Sequence, residues 1–270
     1  MADSDTVARL GGALFLGITQ GLTEFLPVSS SGHLVLFQQF VDVGSEEVVF
    51  DLVLHLGTLI PVLWFYRDWV GKLVLDPFVG EGPFLERTGV KWLILLIAAS
   101  IPTAIIGLTF EDVFEQMFAN PATLVVSFTI TAILLLLTRR FDRSENGREL
   151  TWPIAVVLGI AQGLAITPGI SRSGTTIAVA LMLGLEREEA ARFSFLMSVP
   201  AISGGLLLQL RDVEVGALDV PQMAVGGIAA LVSGYFALVL LVQLVRSGHL
   251  SHFAWYLFGA AALSLVLAVS

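Results

Sequence analysis

The sequence predicts an all-α integral membrane protein: six transmembrane helices plus two re-entrant helix pairs, arranged as two inverted-topology repeats. Three observations predict it. The 270 residues are 56% hydrophobic and only 14% charged, with a mean hydropathy of +0.86, too oily for a soluble domain. Several apolar runs approach the roughly 20 residues that a spanning helix needs. Finally, residues 20–33 (QGLTEFLPVSSSGH) return as residues 162–176 (QGLAITPGISRSGTT) in one register, Gly17 meeting Gly159, Gln20 meeting Gln162 and Ser29 meeting Ser171. Shared hydrophobicity aligns some Leu and Ala, but not Gln-Gly-Leu and Ser-x-Ser-Gly together.

The elements follow in order. Residues 9–26 are apolar but carry Gln20 and Glu24, and Pro27 ends them. After the serine-rich break, residues 34–41 are too short to cross a bilayer, so the two pieces read as a re-entrant pair. Non-helical backbone at membrane depth survives only where protein or water covers it, so the break is expected to line a cavity. Spans are expected at 48–66, 90–110 and 122–138, with charged loops between them. The connector 139–152 (RRFDRSENGRELTW) divides a single membrane domain, 1–270, into repeat one (9–138) and repeat two (153–269). Segments 153–167 and 175–185 flank the second break, and spans follow at 193–210, 223–245 and 253–269.

Three spans per repeat is an odd number, so the second repeat starts on the opposite face of the membrane. Inverted repeats with broken helices bring their breaks together near the midplane. With this topology eleven of the fourteen Lys and Arg fall on one side, only Arg9 and Arg211 on the other, and Arg172 in the second break. The positive-inside bias places both termini outside the cell membrane.

Composition also excludes. The chain has no cysteine, hence no disulfide, thiolate metal site or cysteine nucleophile. A net charge of −9 argues against nucleic acid as a partner. Acidic ends and loops (Asp3, Asp5, Glu46, Glu47, Glu111, Asp112, Glu115) read as solvated surface, or as the mark of a high-salt habitat. The first apolar run lacks a basic leader and a cleavage signature, so no removable signal peptide is expected.

The breaks carry the chemistry. A carboxylate at membrane depth is costly and marks a functional site by default. Glu24 is either a structural acceptor or, with Gln20 one turn away, a ligand for Mg²⁺ or Ca²⁺. Arg172 either pairs internally with Glu24 or Asp51, or clamps a phosphate with its bidentate donors. Ser171, Ser173, Gly174 and Thr176 supply hydroxyls and close backbone approach to such an anion. His33 is a cap, an interior hydrogen-bonded group, or a base acting on Ser29, Ser30 or Ser31, which are nucleophile candidates or caps of the next helix. Asp51 and His55 share a helix face, facing the cavity or pairing between helices. The aromatics Trp64, Trp69, Trp255 and Tyr256 read as interfacial belt residues.

Gln20-x-x-x-Glu24 with PVSSSGH, PGISRSGTT in the second half, and EEAARFSFL at 188–196 resemble the undecaprenyl-diphosphate phosphatase family of the BacA/UppP type. The resemblance covers essentially the whole chain. It implies a membrane hydrolase that converts a polyprenyl diphosphate to the monophosphate and inorganic phosphate, recycling a lipid carrier for cell-wall or surface-glycan synthesis. It also implies a site open to the outer face, dependence on a divalent cation, and antibiotic resistance through competition for the lipid diphosphate. By motif, Gln20 and Glu24 fall on the metal-binding positions. Glu24, His33, Ser30 and Arg172 fall on catalytic positions, and Ser29, Ser31, Ser171, Ser173, Gly174 and Thr176 on substrate-binding ones. Many members carry Glu where this chain has Gln20, which removes one formal charge from the site. Partners are then the lipid substrate and membrane lipids; a homodimer is left open. The competing reading is a transporter or flippase for lipid phosphate or an anion, since inverted repeats with discontinuous helices are transporter architecture.

Overall fold

A computed structural model describes residues 2–41, 47–118, 120, 122–141, 147–209 and 219–269, with the side chains of 2–5 and 47 left aside. The described chain is helical: α1 (Ala2–Phe25), α2 (Ser30–Phe37), α3 (Glu47–Phe65), α4 (Arg67–Val79), α5 (Thr88–Thr109), α6 (Glu111–Phe118), α7 (Ala122–Phe141), α8 (Trp152–Leu164), α9 (Arg172–Met182), α10 (Arg187–Gln209), α11 (Val220–Arg246) and α12 (Phe253–Val269). Among the described residues six segments are long and apolar enough to span a membrane: those of α3, α5, α7, α10, α11 and the stretch Leu250–Val269. These coincide with the six spans expected. Leu-, Ile- and Val-rich sequence turns outward in all six, as in Leu56, Ile97, Ile133, Leu207, Phe236 and Val266. Side chains facing lipid need no polar face.

Helical order exceeds the expectation in three places. The loop after α3 holds α4, because Asp76 accepts from the Gly89 amide (2.7 Å) while Arg87 donates to the Asp76 carbonyl (2.8 Å). The acidic loop after α5 holds α6, which opens with Glu111 and Asp112 at its positive dipole end. α10 starts at Arg187 rather than near 193, its first turns held by an Arg192–Glu188 pair at 2.7 Å. The middle of the expected connector, residues 142–146, and Arg211 lie outside the described residues.

The halves exchange helices. α1 packs on α11, and α8 packs reciprocally on α5. Both contacts depend on a glycine at the same repeat position. A Cβ on Gly17 would run into the Gly226 carbonyl, and one on Gly159 into the Ala99 carbonyl. Thr103 exploits the second approach, donating to the Gly159 carbonyl at 2.8 Å. α7 and α12 pack together beside this exchange, and α9 lies against α7. The basic ends of the long helices gather at one end of the molecule. There Arg187 donates to the Arg246 carbonyl, Arg246 pairs with Glu188, and Arg192 covers the Trp69 ring.

Candidate active site

The two breaks fold alike. Ser29 caps α2, its Oγ accepting from the Gly32 amide (3.3 Å) and lying 3.2 Å from Ser31 Oγ. Ser171 caps α9, its Oγ accepting from the Gly174 amide (3.1 Å) and lying 3.3 Å from Ser173 Oγ. Both are serine N-caps that satisfy the first orphan donors of a short helix. The backbones differ at one point. Ser29 sits at φ 69°, the only described non-glycine residue with positive φ, whereas Ser171 has φ −71°.

The breaks meet. Ser173 Oγ donates to the Leu26 carbonyl (3.4 Å), and the Ser171 amide donates to Thr131 Oγ1 on α7 (3.1 Å). At the junction Glu24 is buried with its carboxylate fully engaged. Arg172 Nη2 donates to Oε1 at 2.5 Å; Ser30 Oγ and Gln20 Nε2 donate to Oε2 at 2.5 and 3.2 Å. The opposite charges compensate each other where water is scarce. Arg172 Nη1 is also buried yet has no partner in the protein. An unpaired buried guanidinium N–H is expensive unless an acceptor arrives.

A cavity of about 280 Å³ opens at this junction, its polar end formed by Glu24, Ser29, Ser30, Ser31, Ser171 and Arg172. Ile166, Ile170, Ala201, Ile202 and Leu206 make its other wall apolar. His55 also lines it; its Nδ1 donates to the Asp51 carbonyl at 2.8 Å, which leaves Nε2 as the free ring atom. Asp51 instead accepts from Gln38 Nε2 (2.8 Å), tying α3 to the end of α2.

Not every residue singled out in the sequence reaches the cavity. Ser173 and Gly174 stand behind it in the contact between breaks, a Cβ on Gly174 lying 3.0 Å from Pro27. Thr176 points to α10, sharing a hydrogen bond with Ser194 (2.6 Å) and donating to the Arg172 carbonyl (2.8 Å). Gln20 is fully buried beside Glu24. His33 is turned away, its ring nitrogens on the Ser29 carbonyl and the Tyr256 hydroxyl. Sequence reasoning missed Thr131 and this role of Tyr256, which lies 223 positions from His33 and matches an ordinary belt tyrosine.

Among the described residues no group of three or more His, Asp or Glu forms a metal cage. The oxygens that a divalent cation would use are sparser. Gln20 Oε1 is a buried acceptor without a partner beside the Glu24 carboxylate. A cation that keeps waters and shares phosphate oxygens needs little more from the protein.

These features define a polytopic helical membrane protein with a carboxylate–guanidinium–serine site at the meeting of two broken helices. A family model described as Bacitracin resistance protein BacA matches residues 13–263, and the chain belongs to that family. It is 43% identical over 264 residues to the undecaprenyl-diphosphatase of Carboxydothermus hydrogenoformans, covering 94% of this chain and 96% of the relative. It is 40% identical over 260 residues to that of Halothermothrix orenii (94% and 96%), and 38% over 259 residues to that of Methanobrevibacter smithii (90% and 92%).

Proposed function

We propose that this chain is an undecaprenyl-diphosphatase, removing the terminal phosphate of a polyprenyl diphosphate within the membrane. The near full-length relatives of that name support it. The carrying observation is the bridge in which Arg172 and Ser30 hold the two oxygens of Glu24, with Arg172 Nη1 left unpaired. A terminal phosphate supplies the acceptors that Nη1 lacks, and the prenyl chain lies along the Ile166–Ile202 wall.

Ser30 is the nucleophile in this reading. As Arg172 turns from Glu24 to the phosphate, the carboxylate is released to take the hydroxyl proton. Ser30 Oγ attacks the terminal phosphorus, the bridging P–O bond breaks, and its electron pair leaves with the lipid monophosphate. Water then hydrolyses the phosphoserine to free phosphate and restores the hydroxyl. Arg172 stabilises charge on the transferring group throughout. Glu24 and Gln20 Oε1 would hold a divalent cation, which supplies further charge neutralisation when bound.

The pairs α1–α2 and α8–α9 are read as re-entrant, with the repeats inverted. The cavity reaches Phe118 and Gln209, at the ends of helices away from the arginine-rich end, which supports an opening to the outer face of the cell membrane. The reciprocal packing of α1 on α11 and α8 on α5 also suits lipid-phosphate translocation as a second reading.

The test is phosphate release from a C55 prenyl diphosphate by detergent-purified protein, with Mg²⁺ or Ca²⁺ and then with excess EDTA. Metal-dependent release supports hydrolysis. Protein that is folded yet releases nothing under any cation moves the reading to transport.

A further inference from the structure

We propose that Tyr256 is a positioning residue for this reaction, acting through His33 to hold the strained Ser29 turn that places Ser30. The inference rests on Ser30 being the attacking group.

His33 Nδ1 lies 2.7 Å from the Ser29 carbonyl, and Nε2 lies 2.7 Å from the Tyr256 hydroxyl. A carbonyl only accepts, so Nδ1 carries the proton; in the neutral ring Nε2 then offers a lone pair, and Tyr256 donates to it. The ring is also fixed by packing. It stacks on Tyr256 (centroids 5.7 Å, 11° between planes) and meets Phe128 edge-on at 5.6 Å. Both nitrogens are spent and the imidazole is 4% exposed, so nothing remains to accept a proton in the cavity.

What the imidazole holds is the strained residue. Ser29 at φ 69°, ψ 104° is outside the regions a serine prefers, a strain that its surroundings must offset. Its carbonyl accepts from His33 twice, from the backbone amide (3.3 Å) and from Nδ1. The next residue is Ser30, whose hydroxyl rests on Glu24. The second break is an internal control. There Ser171 is unstrained, the position of His33 is held by Thr175, and its backbone amide alone bonds the Ser171 carbonyl (2.8 Å). The side-chain strut is present only where the turn is strained. Without the tyrosine hydroxyl the ring is free to exchange tautomer, which turns a lone pair on the Ser29 carbonyl.

The experiment combines Tyr256→Phe, His33→Asn, His33→Ala and the Tyr256→Phe/His33→Asn pair, with folding in detergent checked for each. Tyr256→Phe keeps the ring stack and should lower kcat about tenfold with KM changed less than about twofold, the size of one lost buried hydrogen bond. His33→Asn places an amide N–H where Nδ1 stood and should retain far more activity than His33→Ala, and Tyr256→Phe should add nothing to it. Imidazole ¹⁵N NMR, with His33 assigned by its loss in His33→Asn, should show Nδ1 protonated in the wild type and a tautomer shift in Tyr256→Phe. Wild-type kcat in Tyr256→Phe overturns the inference. So does His33→Asn as inactive as His33→Ala with an additive tyrosine effect, which would make His33 a proton carrier. If the wild type itself releases no phosphate, the functional reading fails, and the NMR comparison still decides whether the strut exists.

Discussion

Ser30 and Arg172 occupy the same register of the two repeats, and each binds one oxygen of a single carboxylate, Glu24, at 2.5 Å. Glu24 has no acidic counterpart; the matching residue in the second half is Ile166. The duplicated capped turns thus bring a hydroxyl and a guanidinium symmetrically onto one acid. The two turns share their geometry, and differences at two register positions, 24/166 and 30/172, assemble the acid, hydroxyl and guanidinium.

Ser30→Ala tests the nucleophile. The variant keeps the Arg172 and Gln20 contacts of Glu24, so the fold should survive. Phosphate release should fall by about three orders of magnitude or more, the usual scale for removing an attacking hydroxyl. Rapid quench should trap radiolabelled phosphoserine in the wild type and none in the variant. A variant that retains near-normal release would assign the attack to water.

Arg172 is the ion-pair partner of Glu24 and, in the proposed reaction, the phosphate ligand. Removing it outright strands a buried carboxylate, at about 3–5 kcal/mol, so a dead Arg172→Ala confounds the two roles. Arg172→Lys separates them. The ammonium still neutralises Glu24, but a point charge cannot serve carboxylate and phosphate through a planar fork. Melting in detergent should stay near wild type while kcat/KM drops about a hundredfold, roughly 2.7 kcal/mol.

The sequence made the helical architecture and the meeting of the breaks legible because both are written locally: apolar run length, Pro27, and serine-glycine turns in register. The Glu24–Arg172 contact was one of the pairings open to Arg172, with Asp51 as the other, and only the packed breaks decide between them. Other features were not legible. α4 and α6 are short segments without the long apolar run that marks a span. The sequence left both histidines open: His33, beside the serines in sequence, turns away from the cavity to Tyr256, while His55 from another helix lines it. Adjacency along the chain does not fix side-chain direction in a turn with positive φ. The roles of Thr131 and Tyr256 arise only once α7 and α12 pack around the breaks.

The apolar wall predicts a split between lipid and inorganic ligands. Ala201 lines the cavity together with Ile202 and Leu206. Ala201→Trp should fill the start of the tail path and raise KM for prenyl diphosphates about tenfold, equivalent to losing about two buried methylenes. Inhibition by inorganic diphosphate, which has no tail, should keep its inhibition constant. Equal weakening of both would place the tail elsewhere.

Gln20 offers the sharpest view of the cation. Its Oε1 is orphaned while its Nε2 rests on Glu24, so the amide already neutralises part of what a second carboxylate would repel. Gln20→Glu replaces that donor with a like charge beside Glu24. Without a cation the two carboxylates disfavour each other, and the variant should melt lower than wild type in EDTA. Added Mg²⁺ or Ca²⁺ binds the folded form and should restore the melting temperature in a concentration-dependent way. Activity should then reach half-maximum at a lower cation concentration than in the wild type, because two charges hold a hard cation better than one. Gln20→Met, which removes the oxygen but keeps the volume, should need more cation. If neither melting nor activity of Gln20→Glu responds to the cation differently from wild type, Gln20 is a structural hydrogen-bond donor to Glu24 and no ligand.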